Sequence, residues 1–363
     1  MLLYQKIMNQ MIWEMKADKY PVGQALPGER DLARRFSVSQ KTIHNAMLNL
    51  VRRGYVESRH GSGNYVLSCS PGHVNDRIAI IMNCSEQKNS DAFFAMDTFM
   101  NQLTAIHAFL RQRGFASRLL IYHSDQSLTK QMLDLHSSDY FLNLFFTATP
   151  ALAGRIVKNG GMLLSTITSF HQSRFSKMYA GMPCVINDYL PGIADAFSFY
   201  RKNGIRNFVF FAQGNMGKEN YGLYAAEAEK QHVKLQNCCF SLKNREEGNL
   251  YSVRRVKFFR QKLRGLPENT VIFSDGLYHI VELFHALREN GEEAVFRKHQ
   301  YCITGEQSYL LRGLHDGISW IPAHPEKTAT MAAKILLDNL LEGKAIPSYT
   351  AIKSEFIPAE ITV

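Results

Sequence analysis

From residue 77 onward the chain alternates short apolar runs with amphipathic stretches, and no other feature constrains its fold as strongly. The runs Ile78–Met82, Leu119–Tyr122, Phe141–Phe146, Met162–Ser165, Cys184–Ile186, Phe208–Phe211, Val271–Phe273 and Tyr301–Ile303 are too short for helices. They are predominantly apolar, interrupted only by Asn143 and Ser165, as strands covered on both faces of a parallel sheet are. Helical periods fall between them. Leu277, Ile280, Val281, Phe284 and Leu287 share one helix face, and Ala329, Ala332, Ala333, Leu336, Leu337 and Leu340 share another. This repetition predicts an α/β body with parallel sheets. Its length exceeds one ordinary domain and predicts two lobes.

The first residues follow a different rule. Leu3, Ile7 and Met11, flanked by Tyr4, Met8, Ile12 and Met15, form the apolar face of a first helix that ends before Tyr20-Pro21. A second, short helix starts after Gly28, with Glu29 and Asp31 in the first turn and Leu32, Ala33 and Phe36 turned inward. Ser37-Val38-Ser39 makes a tight turn, and Ser39 can cap a third helix. In that helix Ile43, Ala46, Met47, Leu50 and Val51 form one buried stripe, leaving Gln40, Lys41, His44 and Asn45 outside it. Such thin polar and basic side chains suit base edges and phosphates. Tyr55–Glu57 and Asn64–Leu67 read as a hairpin around the tip Arg59-His60-Gly61-Ser62-Gly63, which can approach a sugar–phosphate backbone. Three short helices and a hairpin can also serve protein contacts. The local charge, the tight helix–turn–helix spacing and the basic glycine-rich tip together favour DNA.

The chain carries 42 Lys and Arg against 32 Asp and Glu, a net charge of +10. Residues 1–74 hold ten of those bases and five of those acids, so half the excess falls on a fifth of the chain. The other half is read as spread over a near-neutral body. No apolar stretch is long enough for a membrane span, and the first twenty residues lack a signal-peptide centre. The six cysteines are scattered, which favours a reducing cytoplasm over disulfides or metal clusters.

The run LPGERDLARRFSVSQKTIHNAMLNLVRRGYVESRHGSGNYV closely resembles the winged helix-turn-helix of GntR-type bacterial transcription regulators, over residues 3–67. The resemblance implies a homodimer that reads a palindromic DNA operator. It assigns Arg30 to a phosphate, Ser39, Gln40, Lys41, Thr42 and His44 to the major groove, and His60, Gly61 and Gly63 to the minor groove. Two positions depart from the family, which usually has arginine where this chain has Gln40 and His44. Glutamine suits adenine rather than guanine, so an altered operator preference is expected.

The body, with the weaker likeness, resembles the effector-binding region of LacI/GalR-type regulators, which share the periplasmic-binding-protein fold. The landmarks are Arg77–Ile81 as first strand, Val185–Asp188 opening the second lobe, Asn203–Asn207 before a strand, Ser274-Asp275 before a helix, Gly305 after a strand and His324-Pro325 before the last long helix. A GntR-type head on a LacI-like body is the combination of arabinose-responsive chimeric repressors. The domains expected are 1–68 for the head, 69–76 for a Pro-Gly linker and 77–363 for the effector-binding and dimerisation body.

The resemblance implies a ligand, most simply a sugar or sugar derivative, at the carboxyl ends of the strands between the lobes. Candidates there are Asn83, Ser85, Phe93, Phe94, Asp188, Gln213, Glu219, Asn220, Asp275, Gln307 and Trp320. Each has a plainer reading. Phe93 and Phe94 can be helix packing, Asp188 and Asp275 helix caps, and Trp320 core. Glu219 and Gln307 stand where the family commonly has arginine and aspartate, which argues against an ordinary hexose. The expected function is a cytoplasmic repressor with no catalytic residues, metal or cofactor. An enzyme is the alternative, but there is no GxSxG, GxxxxGK[ST] or HExxH. A body used only for dimerisation is another. A transport binding protein fits neither the head nor the missing export signal.

Overall fold

The computed structural model describes residues 3–359 except 53, 60, 69–77, 84–90, 132, 134, 136, 137, 145–147, 241–247 and 306–316. The expected linker, Arg77, His60, Ser85 and Gln307 therefore lie outside the described residues. No helix among those described is long and apolar enough to cross a membrane.

The head comprises α1 (Leu3–Lys16), α2 (Glu29–Phe36), α3 (Gln40–Arg52), β1 (Val56–Arg59) and β2 (Gly63–Val66). Its core is the predicted stripes brought together: Ile7, Met8, Met11 and Met15 of α1 meet Leu32 of α2 and Ile43, Ala46, Met47 and Leu50 of α3. β1 and β2 pair antiparallel, with Val56 opposite Val66 and Arg59 opposite Gly63. The sequence reading missed a third edge: Leu26 donates to the Asn64 carbonyl at 2.7 Å and Val66 to that of Gln24 at 2.9 Å. Pro21, Gly23 and Pro27 around that segment hide a strand signal.

The body contains two all-parallel sheets. The first is built from β3 (Ile78–Asn83), β4 (Ser117–Tyr122), β5 (Tyr140–Leu144), β6 (Met162–Thr168), β7 (Cys184–Asp188) and β13 (Tyr349–Lys353), in the order β13-β7-β6-β5-β3-β4. Helices α4 (Asp91–Arg111) and α12 (Pro325–Glu342) cover one face, and α5 (Pro150–Lys158) and α6 (Gln172–Met178) the other. The second sheet is built from β8 (Phe208–Gln213), β9 (Leu235–Phe240), β10 (Val271–Ser274), β11 (Gln300–Gly305) and β12 (Ile318–Pro322), in the order β12-β11-β10-β8-β9. It lies between α7 (Leu190–Lys202) with α8 (Gly214–Lys230) and α9 (Gly248–Arg264) with α10 (Leu277–Glu289) and α11 (Glu293–Arg297). This is the expected α/β body with a small α+β head.

One landmark needs correction. Val185–Asp188 does not open the second lobe; it is a central strand of the first, between β6 and β13. The chain crosses only after Asp188, because α7 carries the next apolar face and buries Ile193, Ala196 and Phe197 against Phe208 and Phe273. The second core is rich in aromatic pairs, among them Phe197–Phe273 at 4.5 Å and Phe296–Tyr301 at 4.2 Å between ring centres. Its buried phenols are satisfied: Tyr200 donates to Ser319 Oγ at 2.6 Å and Tyr301 to the Phe296 carbonyl at 3.0 Å. Burial pushes both phenols up, far from ionisation at neutral pH.

Three crossings join the lobes, and hydrogen bonds tie them to one another. Buried Asn187, at the end of β7, accepts from the His324 amide at 2.9 Å and donates to Ser354 Oγ at 3.1 Å. The Ser354 amide donates to the Asp188 carbonyl at 2.9 Å, and Trp320 and Ile357 exchange backbone bonds at 2.8 Å. Gly192 sits in this knot, where an added Cβ would lie 2.7 Å from Ile321 Cγ2 and 3.0 Å from the Ser354 carbonyl oxygen. Backbone meets backbone there, so only glycine fits without a shift.

Candidate nucleic-acid interface and interlobe pocket

The turn between α2 and α3 is set by Ser37, which takes a left-handed conformation (φ 53°, ψ 45°) so that α2 can stop abruptly. Ser39 then caps α3: its Oγ accepts from the Thr42 amide at 3.2 Å and lies 2.8 Å from Thr42 Oγ1. The cap is the predicted one, and it leaves Ser39 and Thr42 bonded to each other at the exposed end of the helix. Gln40, Lys41, His44 and Asn45 are exposed, as is Arg30 on α2. His44 does more than face outward. Its Nδ1 lies 3.1 Å from Glu29 Oε1, which links α3 to the start of α2. At the hairpin tip Gly61 (φ 71°) and Gly63 (φ 103°) hold backbone that side chains resist, and both are exposed. Arg59 lies over the Tyr65 ring at 4.3 Å, and Tyr65 OH is 2.9 Å from Ser62 Oγ. These contacts stiffen the tip, although sequence reasoning singled out neither side chain.

Behind this surface lies an ion cluster that sequence reading also missed. Glu14 is buried on α1 and receives Arg35 at both oxygens, Lys19 at 3.3 Å and Gln10 at 3.4 Å. Arg35 also donates to Tyr20 OH at 3.0 Å, fixing α2 against α1. Burial alone pushes the Glu14 carboxyl up, but the hydrogen bonds from Arg35, Gln10 and Lys19 win and hold it below the ordinary 4.5. The folded head therefore binds fewer protons at Glu14 than the unfolded chain does. The stabilisation is present above pH 4.5 and is lost as pH falls through the lower folded value. Glu14→Gln is expected to cost about 2 kcal/mol near pH 7, the worth of hydrogen bonds to a charged group, and nothing in strong acid. Denaturant melts of the chain at pH 7 and pH 3 check this.

In the body, a cavity of about 120 Å³ opens where the carboxyl ends of β6, β7 and β11 meet α4 and α12. Thr98, Gln102, Ile167, Thr168, Asn187 and Tyr189 line one side, and Gly305, Ala323, Pro325 and Thr328 the other. Gln102 is buried and its Oε1 accepts from Thr166 Oγ1 at 3.1 Å. Thr168 Oγ1 lies 2.8 Å from His171 Nδ1, and burial beside Arg174 pushes His171 down to about 4. The ring is neutral at pH 7, so the wall there offers hydrogen bonds without charge.

The sequence candidates take varied places around this cavity. Asp188 adjoins it between Asn187 and Tyr189, but its Oδ1 accepts from the Leu190 amide at 3.1 Å, at the start of α7. Asn220 is buried and donates to Asp275 Oδ2 at 2.7 Å, so these two candidates meet at the carboxyl ends of β8 and β10. Glu219 is exposed beside them. Asn83 exchanges hydrogen bonds with Ser124 at 2.8 and 3.2 Å. Trp320 packs in the core between the second sheet and α9–α11 and does not line the cavity. Phe93 and Phe94 on α4 and Gln213 at the end of β8 have side chains outside the described residues. Part of the lining went unread because strand ends outrun the apolar runs that mark them: Thr168 ends its strand three residues beyond Met162–Ser165. Asn187 had a signal, since it stands beside Asp188 at a strand's carboxyl end.

Comparison with known proteins divides at the same place as the pattern of the sequence. Residues 3–66 match the family described as bacterial regulatory proteins, gntR family. Over 71 residues the chain is 38% identical to the Exu regulon transcriptional regulator of Escherichia coli K12, a match covering 20% of this chain and 28% of that protein. The likeness thus spans little more than a quarter of that relative's length. The body aligns with solved regulators. A probable maltose operon transcriptional repressor, malR, from Staphylococcus superposes with a TM-score of 0.57 at 14% identity, over 78% of this chain and 96% of the other. The transcriptional regulator CelR in complex with cellobiose gives 0.55 at 14% identity over 97% and 98%. The head is a GntR-type helix-turn-helix. The body has the two-lobed fold of LacI-type regulators, so the architecture is the chimera of the two.

Proposed function

We propose that this chain is a sequence-specific DNA-binding transcription regulator, acting as a homodimeric repressor whose operator affinity responds to a small carbohydrate-class ligand between the lobes. The observation that carries the reading is α3: it buries one stripe and presents Gln40, Lys41, His44 and Asn45 to solvent, inside the region matched to the gntR family. A glycine-rich tip beside Arg59 adds a second contact to the backbone of a duplex. The test is a mobility-shift titration of the full chain on selected duplexes at several salt concentrations. Tight binding to one palindromic sequence, weakening steeply with salt, supports the proposal; equal binding to all duplexes refutes it.

The ligand rests on the uncharged hydrogen-bonding wall of Thr98, Gln102, Thr168 and Asn187, which suits hydroxyl groups. Similar folds hold cellobiose and, in a LacI family regulator from Enterococcus faecium, ribose. A thermal-shift screen of mono- and disaccharides checks it. A ligand at ~100 times its Kd stabilises by about 2.7 kcal/mol and raises Tm visibly.

Dimerisation through the body is favoured by β4, the edge strand of the first sheet, where Leu119 and Ile121 expose apolar side chains on one face. An open apolar edge invites pairing with a second copy. Ile121→Asp is expected to move the chain from dimer to monomer in sedimentation velocity. An unchanged dimer places the interface elsewhere.

A further inference from the structure

At the other end of the second lobe the loops before β8 and β9 form a groove of about 370 Å³ lined by Arg201, Lys202, Arg206, His232 and Lys234 over a floor of Ile205, Phe208 and Val233. The strands are parallel, so this groove at their amino ends lies a full strand length, about 20 Å, from the carboxyl ends that face the interlobe cavity. It is a separate place.

Its charges are not balanced. Among the described residues no carboxylate forms an ion pair with Arg201, Lys202, Arg206 or Lys234, whereas other basic residues of the same lobe, Arg255, Arg260, Arg264, Arg297 and Lys298, are paired with Glu. The two arginines are held instead by carbonyls: Arg201 donates to Gln231 O at 2.8 Å and Arg206 to Arg201 O at 3.2 Å. Each bond uses one of five N–H donors and orients the guanidinium without neutralising it. Four uncompensated cations around one concavity repel one another, and a multiply charged anion relieves that repulsion. The cluster is not visible along the chain, where the body's excess charge reads as evenly spread; folding gathers Arg201, Lys202 and Arg206 with Lys234, about thirty residues further on.

We infer that this groove is a second ligand site, for a small anion of the phosphate-ester or polyphosphate class. Arginine forks and lysine ammonium groups match phosphate oxygens, the volume fits a small molecule, and the apolar floor accepts an uncharged remainder of the ligand. A nucleic-acid backbone needs an extended track, which a concavity bounded by two loops does not offer.

Isothermal titration of the full chain with pyrophosphate, at constant ionic strength, tests the inference. Wild type is expected to bind with saturable, single-site heat. The exposed pair Lys202→Ala and Arg206→Ala, combined, is expected to weaken binding about tenfold or more, since both supply charge-assisted donors. Arg206→Lys alone keeps the charge and is expected to retain most of the affinity. No saturable heat with wild type overturns the inference, as does undiminished binding by the double variant. Displacement of pyrophosphate by a non-operator DNA duplex at equal phosphate concentration also overturns it, in favour of a nucleic-acid track. None of these outcomes depends on operator binding by the head.

Discussion

Replacing Gln40 by alanine is expected to relax operator choice by about 1–3 kcal/mol for each half-site, the worth of one bidentate base contact. With one head on each half of a palindrome, as proposed, the loss doubles to about 2–6 kcal/mol, roughly thirty-fold to twenty-thousand-fold in preference over a mismatched sequence. Lys41→Ala behaves differently. On the proposed reading this lysine, exposed at the start of α3, supplies charge toward phosphate, so its loss is expected to weaken binding to all duplexes alike and to lower the salt slope by about one per head. The pair forms a control for itself. Mobility shifts at two salt concentrations, on selected and scrambled duplexes, separate the two effects; identical behaviour of both variants sinks the assignment of α3 to the major groove. His44 adds detail to this picture. Its Nδ1 lies 3.1 Å from Glu29 Oε1, so on the proposed reading a base contact at that position would compete with this link.

The second large effect is expected at Asn187. Alanine there removes two buried hydrogen bonds and leaves the His324 amide and the Ser354 hydroxyl without their partner. Each buried polar group left unpaired costs about 1–3 kcal/mol, so a total of about 2–4 kcal/mol is expected after partial relaxation. The consequence is not confined to stability. Asn187 lines the interlobe cavity and ties its own crossing to the other two, so the variant is expected to lose both Tm and the further rise in Tm that the proposed effector would cause. Asn187→Asp, which keeps one acceptor for the His324 amide but buries a charge, is expected to be at least as destabilised. A melt showing Asn187→Ala within 0.5 kcal/mol of wild type, a surface-like value, would mean the knot is held by the backbone bonds alone.

Most of the fold was legible because its strands are covered on both faces and therefore announce themselves as apolar runs. β9, β12 and β13 were not. Each is an edge or carries polar residues and proline: Leu235–Phe240 includes Gln236 and Asn237, Ile318–Pro322 ends in proline, and Tyr349–Lys353 is only half-buried between exposed ends. The head was readable nearly to the residue, since α3 has one clean stripe and Ser39 caps where a cap is needed. The Glu14–Arg35 pair was invisible for the opposite reason: a lone acid on an apolar helix has no sequence partner 21 residues away. The interlobe wall is made of one to three residues from each of five separate segments, and only the fold brings them together.

Those crossings bear on how the molecule is made. β13, formed by Tyr349–Lys353, closes the edge of a sheet whose first strand is Ile78–Asn83. During synthesis at ~5–20 residues per second, the head can fold within moments of emerging, whereas the first lobe waits about 15–60 s for its final strand. From the completion of β7 at Asp188 until then, about 8–33 s at that rate, β7 presents a bare edge. For that time an apolar strand, Cys184–Asp188, lies open to pairing with another chain, a hazard that ends only when the last strand of the sheet arrives.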